Sequence, residues 1–412
     1  MTIALTDIFR LEDPEFYLDD PYPALQRLRQ EDPVFYYKPL DLWVMSKYDD
    51  IRYVGRTPEI FSSHAGVFLN DFRYGDVMKR FFGEKAENLS MIGPPRHNEL
   101  RNVVNGAFTP RKLSEMRGSI REMCRSLLAP IKRGEVVNWS HQVSEPLPLM
   151  VIAILMGVPL KEYDTLKYFS DEVIKIGLDA SHEELVEIIA RLEPMTPYFE
   201  KFLAERDENQ TSDLLTILQL ARKREEVTTD TVHMLLSGIM TAGNETTRNT
   251  INGAIIALAQ NPDQMQLLAS DPGLAKTATE EFLRYVSPVR GFGRTVTQDV
   301  VVRDRKIRAG QHVLNFFISG NRDEEIFEDP ETFDLTRQRD KTNLAFGTGQ
   351  HFCIGAALAR MEISILFEEV AARFSGVELV GSPIRDNQVM FNAWEDIHVR
   401  FTGKAGGALS IT

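Results

Sequence analysis

The chain has 412 residues, of which 43% are apolar and 26% are charged, and its net charge is −13. This length can bury a large core, and the absence of a linker-like stretch, repeat or block of like charge predicts one domain, 1–412. The acidic balance argues against nucleic acid as a bulk partner. The longest apolar run, Leu147 to Val158, is shorter than the roughly 20 residues that cross a bilayer, so we expect no membrane insertion.

The ends and the cysteines narrow the class of protein further. The N-terminus has no basic and then apolar leader, which predicts a cytoplasmic protein. We expect residues 1–13 and 403–412 to be loosely ordered. Only Cys124 and Cys353 occur, which excludes a disulfide scaffold and any four-cysteine zinc or iron–sulfur site.

Helical periodicity dominates the chain, so the predicted fold class is mainly α with a minor β-sheet. The predicted helices are Pro21 to Gln30, Arg96 to Ala107, Lys112 to Lys132, Pro146 to Met156, Tyr163 to Ile176, His182 to Arg206, Ser212 to Arg224, Asp230 to Gln260, Leu274 to Val286 and Gly355 to Phe374. The predicted strands are Val34–Tyr37, Trp43–Ser46, Val300–Val302, His312–Phe316 and His398–Phe401.

Basic residues recur in the helical segments that follow Pro95. Charges of this kind most often solvate a surface, and a docking patch for an acidic partner is the alternative. The residues are Arg96, Arg101, Arg111, Lys112, Arg117, Arg121 and Arg125.

The long helix predicted from Asp230 is apolar except in its middle, 242–247, which reads Ala-Gly-Asn-Glu-Thr-Thr. Thr228 and Thr229 suit its N-cap, and Pro262 closes it. A glycine and a buried acid both disfavour a helix interior, so we expect the helix to open there and admit a small ligand or water. The alternative is a helix that surfaces for one turn.

Further along, Glu281 and Arg284 share one helix face because they are three residues apart. Taken alone, this spacing is typical of an ordinary solvated pair.

Cys353 lies in a glycine-punctuated loop, Phe346 to Gly355, that leads into a helix. Glycines let this backbone pack against a flat group, and the helix N-terminus favours a thiolate over a thiol. A lone thiolate in this setting suits an axial ligand of haem iron. A buried structural cysteine is the alternative.

This loop resembles the haem-ligand loop of the cytochrome P450 family, the haem-thiolate monooxygenases. The resemblance extends from about Pro14 to the end of the chain, and the motifs at 242–247, 281–284 and 327–333 follow in the family's order. It implies the cytochrome P450 fold, with haem b (iron protoporphyrin IX) between the long helix and the cysteine loop. Cys353 would be the axial ligand, with Phe346, Gly347 and Gly355 beside the haem.

The resemblance also implies roles around the haem. Ala242 and Gly243 would form the O2 groove, with Glu245 and Thr246 as an acid and alcohol pair that relays protons. Glu281 and Arg284 would be a buried structural pair, and 327–333 would shape the haem pocket. The haem propionates would be held by His97, Arg101, Arg294 and His351.

The segments that line the substrate pocket in this family are largely apolar here, including the stretch around Met195–Phe202. This composition favours an apolar substrate, weakly of lipid, sterol or terpenoid type, whose identity the sequence does not specify. Each residue could equally be ordinary core. The predicted pocket residues are Val67, Phe68, Phe72, Phe81, Phe82, Met240, Thr241, Val289, Phe292, Phe391 and Asn392.

The chain contains no flavin or iron–sulfur motif, so electrons would come from a separate ferredoxin-type donor with its reductase. Docking is predicted at Arg111, Lys112, Arg121 or Arg125. The alternatives are a haem-thiolate sensor or carrier without turnover, and peroxide-driven chemistry. The Glu245 and Thr246 pair favours the O2-dependent enzyme.

Overall fold

The computed structural model describes residues 5–75, 77–177, 180–208, 212–338 and 340–403, and most of them are helical. The helices are α1 Leu5–Ile8, α2 Pro14–Leu18, α3 Tyr22–Glu31, α4 Tyr48–Arg56, α5 Leu69–Tyr74, α6 Val77–Phe82, α7 Arg96–Asn105, α8 Pro110–Leu128, α9 Pro146–Met156, α10 Tyr163–Gly177, α11 His182–Leu192, α12 Met195–Glu208, α13 Leu214–Lys223, α14 Thr229–Gln260, α15 Pro262–Ser270, α16 Ala275–Val286, α17 Phe317–Gly320 and α18 Ala356–Arg373. The strands are β1 Val34–Tyr37, β2 Leu42–Met45, β3 Phe61–Ser62, β4 Val136–Asn138, β5 Phe292–Val296, β6 Val300–Val302, β7 Arg305–Ile307, β8 His312–Asn315, β9 Gly376–Leu379, β10 Ile384–Arg385, β11 Trp394–Asp396 and β12 His398–Thr402.

The mainly α class with a minor sheet is therefore confirmed. Helix α9 and strands β1 and β6 have the predicted bounds, and α14 begins one residue before its predicted start. Its N-cap is Thr228, whose side-chain oxygen accepts the backbone N–H of Thr231 at 3.1 Å.

One predicted helix is wrong. The predicted helix His182 to Arg206 is two helices, α11 and α12, because Pro194 between them has no N–H to continue the helical hydrogen bonds. The loose order expected of residues 5–13 stays a prediction; within them, Phe9 is fully buried and its ring lies 5.7 Å from that of Phe35. Residues 1–4 and 404–412 lie outside the described residues.

Helix α14 runs through the centre of the larger hydrophobic core, where it packs on α9, α10 and α16. It continues without a break through 242–247, so the predicted opening is absent. Gly243 serves close helix packing instead, because a Cβ there would lie 2.4 Å from Cδ1 of Ile152 on α9.

A second core lies on a five-stranded sheet of order β1-β2-β8-β5-β3. Strands β2 and β8 are parallel, and the other neighbours are antiparallel. In this register Arg294 on β5 pairs with Val313 on β8. None of the described helices has both the length and the apolar character needed to cross a membrane.

Candidate active site

A cavity of about 410 Å³ lies between α14 and the loop that precedes α18. The side of the cavity on α14 includes Ala242, Gly243, Glu245 and Thr246, and the side on the loop includes Cys353. Phe346, Gly347, His351 and Gly355 also line the cavity. The fold therefore brings together the long-helix motif and the cysteine loop, which lie about a hundred positions apart in the sequence.

The cysteine loop depends on two glycines in the left-handed region. Gly347 has φ 67° and Gly349 has φ 73°. A Cβ on Gly349 would lie 1.8 Å from the carbonyl oxygen of Gly55 on α4, so only glycine lets the loop pass this helix. The loop is closed by the Cys353 N–H, which donates to the Phe346 carbonyl oxygen at 3.0 Å.

Cys353 is exposed, and it lines the cavity. Burial raises the pKa of its thiol, and the N–H of Gly355 and the guanidinium groups of Arg101 and Arg360 oppose that rise without reversing it. The Gly355 N–H at the helix N-terminus thus lowers the pKa of the thiol, as predicted, but burial raises it by more. A metal ion at this sulfur would displace the proton directly.

One edge of the cavity holds cations without carboxylate partners among the described residues. The Arg294 guanidinium is almost fully buried, and burial alone lowers its pKa to about 10. Its side-chain hydrogen bond goes to the backbone, from Nη1 to the Gly293 carbonyl oxygen at 2.6 Å. His97 on α7 is buried, and its Nε2 has no hydrogen-bond partner.

His351 and Arg101 complete this edge of the cavity. The His351 ring lies 4.6 Å from the His97 ring, and burial, with the charges of Arg294, His97 and Arg101, lowers the pKa of His351 to about 3. Burial also lowers the pKa of Arg101. The four residues proposed from the sequence therefore lie together. We call Arg294 and Arg101 the cavity cations, because the lowered pKa values of His97 and His351 favour the neutral form of both histidines.

The cavity cations fit a dianionic group. Buried charges are stable only when they are paired, and a buried polar atom such as Nε2 of His97 needs a hydrogen-bond partner. The two propionates of a haem meet both needs. The sequence reasoning missed Ser63, whose hydroxyl lies 3.2 Å from Nε2 of His351, because a serine just after a two-residue strand carries no distinguishing signal.

Glu245 is buried and lines the cavity, and burial raises the pKa of its carboxyl group. Its Oε1 accepts a hydrogen bond from Nδ2 of Asn249 at 2.8 Å, and its Oε2 lies 3.8 Å from Nη1 of Arg248. The Thr246 hydroxyl donates to the Ala242 carbonyl oxygen at 2.8 Å, so it offers its lone pairs to the cavity.

Six of the residues predicted for the substrate pocket line the cavity, and all but the threonine are apolar. They are Val67, Phe68, Thr241, Val289, Phe292 and Phe391. The sequence reasoning missed Val173, Ile174 and Ile176 of α10, and it expected the stretch around Met195–Phe202 instead. Met195, Phe199 and Phe202 are buried in the helical core. An apolar helix face looks the same in sequence whether it meets core or cavity.

Five predicted pocket residues lie elsewhere because other contacts hold them. The Phe72 ring stacks on His312 at 4.1 Å, Phe81 and Phe82 pack on each other at 4.7 Å, and Met240 is buried in the helical core. Asn392 donates from Nδ2 to the Val286 carbonyl oxygen at 2.6 Å. These five are therefore not pocket-lining residues.

The Glu281–Arg284 pair is buried, with both side chains 2% exposed. Arg284 contacts Glu281 through two hydrogen bonds of 2.8 and 2.7 Å. It also donates to the carbonyl oxygens of Pro330 at 2.8 Å and Thr332 at 3.1 Å. The pair therefore ties α16 to the segment 327–333, in agreement with the structural role that was predicted.

Two basic residues of α8 behave differently, because they form ion pairs with carboxylates of this chain. Arg121 lies 2.5 Å from Glu368 and 2.7 Å from Glu369, and Arg125 lies 3.1 Å from Glu369. Arg373 contacts the same Glu369 at 2.6 Å. Two of the four predicted docking residues therefore link α8 to α18.

Comparison with known proteins gives one family. A family model described as cytochrome P450 matches residues 166–271 and 274–392, more than half of the chain. The methyl-branched lipid omega-hydroxylase of Mycobacterium tuberculosis is 33% identical over 380 residues, covering 88% of this chain and 86% of that protein. The steroid C26-monooxygenase of Mycolicibacterium smegmatis is 30% identical over 400 residues, covering 95% and 92%. The structure of cytochrome P450-153 from Novosphingobium aromaticivorans is 28% identical, with a TM-score of 0.86 and coverage of 96% and 100%.

Proposed function

Since the chain belongs to the cytochrome P450 family and is a monooxygenase of that family, we propose that it inserts one oxygen atom from O2 into an apolar small molecule. Electrons would come from a separate ferredoxin-type protein with its reductase, and the enzyme would work in the cytoplasm. The observation that carries the proposal is the cavity that joins Cys353 and the cavity cations to the Glu245 and Thr246 motif.

That the chain forms one domain remains a prediction.

The cofactor is proposed to be haem b. Cys353 Sγ would ligate its iron, and Arg294, Arg101, His97 and His351 would contact its propionates. When bound, the haem supplies the activation of O2 and the transfer of an oxygen atom to the substrate. Arginine suits a propionate because its guanidinium can donate two parallel hydrogen bonds to one carboxylate.

Glu245 and Thr246 are proposed to deliver protons. Because burial raises the pKa of Glu245, its carboxyl group accepts and releases a proton more readily near neutral pH than an exposed glutamate does. Asn249 donates a hydrogen bond to that carboxyl group, and Arg248 lies 3.8 Å from it. The Thr246 hydroxyl, whose proton is donated to Ala242, can accept a hydrogen bond from water and hold it in the cavity.

The proposed substrate is a lipid, sterol or terpenoid. The six predicted pocket residues that line the cavity are mostly aliphatic or aromatic, and none of the six is basic, so none of them could hold an anionic group. Two of the compared relatives are named for a methyl-branched lipid and a steroid.

The test begins with the reduced, carbon-monoxide-bound spectrum of the haem-loaded protein. Cys353→Ala and Cys353→His should abolish the thiolate-type Soret band, whereas Cys124→Ser should keep it, because Cys124 is buried in α8 away from the cavity. A band that survives in Cys353→Ala and disappears in Cys124→Ser would contradict the ligand assignment.

A second measurement tests the reaction class. The wild-type protein should consume reduced nicotinamide in a substrate-dependent way when ferredoxin and its reductase are added. A thiolate spectrum without such turnover would indicate a sensor or carrier. Product formation with peroxide alone, and none with the donor proteins, would indicate peroxide-driven chemistry.

A further inference from the structure

Gly238 on α14 lines the cavity at a position where the packing of the helix does not require a glycine. A glycine inside a helix destabilises the helix relative to alanine, so its presence needs a local cause. Gly243 has such a cause in the close approach of Ile152, 2.4 Å from where a Cβ would lie. A Cβ on Gly238 would have no atom of the described residues within 4 Å. The space that Gly238 leaves free therefore belongs to the cavity.

Gly238 is the first residue of a strip of α14 that carries almost no side chain. Ala242 follows four residues later on the same helix face, lines the cavity and is exposed to it. We call Gly238 and Ala242 the bare strip. Thr246 lies four residues beyond Ala242, so the distance along the helix from Gly238 to Thr246 is about 12 Å. A molecule on the bare strip would therefore reach the turn that is proposed to deliver protons.

A missing Cβ matters most to a rigid ligand. A flexible chain can pass a methyl group by rotating one of its own bonds, and it loses torsional freedom when it is held straight. A rigid fused-ring molecule cannot bend away, but it can place one flat face against the helix and keep van der Waals contact along its length. The destabilising glycine is therefore explained by a rigid ligand and not by a flexible one.

Thr241 is a second, independent sign of a ligand beside the bare strip. It lies three residues after Gly238, lines the cavity and is 6% exposed. Thr246 and Thr250 each donate a hydrogen bond to the carbonyl oxygen four residues earlier, at 2.8 and 2.9 Å. The Thr241 hydroxyl has no hydrogen-bond partner among the residues that the structure describes. A buried hydroxyl without a partner indicates that a group from outside the chain bonds to it.

We propose that the bare strip seats a rigid fused-ring substrate of steroid type, and that an oxygen atom of this substrate accepts a hydrogen bond from Thr241. The inference rests on the proposed function and narrows its substrate class. Gly238 determines which molecules fit, because its missing side chain lets the ring system approach the α14 backbone. Thr241 determines their orientation, because the oxygen atom marks one end of the ring system.

The experiment measures dissociation constants of the haem-loaded protein by equilibrium dialysis. The ligands are the rigid ketone androstanone, the same ring system without oxygen, androstane, and the linear alcohol dodecanol. Gly238→Ala should weaken the binding of androstanone about tenfold, because the added methyl group overpacks the strip, and that of dodecanol less than about twofold. Thr241→Val should reduce the preference for androstanone over androstane about fivefold, which is the effect of one hydrogen bond.

The matched control is Gly118→Ala on α8. An added Cβ at this exposed helix position also has no neighbour within 4 Å in the described part of the chain, and Gly118 does not line the cavity. Both alanine variants should raise the midpoint of thermal unfolding of the ligand-free protein by about 1–2 °C, because alanine favours a helix over glycine. Only Gly238→Ala should lose affinity for androstanone. Greater stability together with weaker binding would show that Gly238 serves the ligand and not the fold.

The inference is overturned if androstanone does not bind the wild-type protein, if Gly238→Ala binds it with unchanged affinity, or if dodecanol loses as much affinity as androstanone. An unchanged preference for androstanone in Thr241→Val would overturn the hydrogen bond. The two proposals can fail separately. A wild-type protein without the thiolate-type Soret band would contradict the proposed function, whereas a normal band with any of these binding results would contradict the substrate class alone.

Discussion

The arginines of α8 and those around the cysteine loop have opposite surroundings. Arg121 and Arg125 contact carboxylates of α18, and they fasten one helix to another. Arg294 and Arg101 face the cavity and have no carboxylate partner among the described residues, and Arg56 has none at the outer surface. The charge of a paired cation is balanced by a carboxylate of the same chain. An unpaired one, especially when buried, marks a place where an anion from outside the chain binds.

The largest effect on stability should come from breaking a buried ion pair, that of Glu281 and Arg284. Arg284→Ala removes the bidentate partner of the buried Glu281 carboxylate, which keeps the longer contact of 3.2 Å from Arg337, and it removes the contacts to 327–333. We expect it to lower the free energy of unfolding by about 3–5 kcal/mol. Urea unfolding followed by far-UV circular dichroism measures this. Arg121→Ala, at a partly exposed pair, is the control and should lose less than about 1 kcal/mol. Equal losses of stability in the two variants would show that burial does not make one ion pair contribute more than the other.

The second largest effect concerns Glu245 in the cavity, whose carboxyl group lies 3.8 Å from Arg248. Glu245→Gln keeps the shape and the contact with Asn249 but cannot release a proton, so turnover should fall about 100-fold. Thr246→Ala should instead keep reduced nicotinamide consumption and divert it to hydrogen peroxide or water. Product, peroxide and nicotinamide are measured together in each variant. Unchanged rate and coupling in both would assign the turn a structural role only.

Replacing an unpaired cation should affect the bound group more than the fold. Arg294→Leu would remove the proposed charge-assisted hydrogen bonds to a haem propionate, which contribute about 1.5–3 kcal/mol, so haem should be lost about 10- to 100-fold faster. Transfer of haem to an excess of apomyoglobin measures this rate. Arg125→Leu, whose partner belongs to the chain, should release haem at the wild-type rate. Haem loss from Arg294→Leu that is no faster than from the wild-type protein would contradict the propionate contact.

The smallest effect is a pH dependence at the α8–α18 contact. Burial raises the pKa of Glu369, but hydrogen bonds from Arg373, Arg121 and Arg125 outweigh it and lower the pKa to about 2. A lowered pKa in the folded state adds stability above the unfolded pKa of about 4.5 and loses it as the pH falls toward 2. Between pH 5 and about 3, Glu369→Gln should therefore lose less stability than the wild-type protein does. Parallel losses in acid unfolding would contradict this assignment.

Several features could be predicted from the sequence because they depend on near neighbours in the chain. The N-cap at Thr228 and the adjacency of Glu281 and Arg284 are local consequences of residue type and spacing. The helical class and the position of Cys353 before α18 follow from the same kind of information.

Long-range contacts decided the rest. Arg121 and its partner Glu368 are 247 positions apart, and Ser63 and His351 are 288 positions apart, so no local pattern distinguishes a paired arginine from a free one. The same limit explains why Phe72 and Met240 were expected in the pocket and the α10 residues were not. Residue type determines that a side chain is apolar or charged, but only packing decides whether it meets core, cavity or counter-ion, because that partner comes from a distant part of the chain.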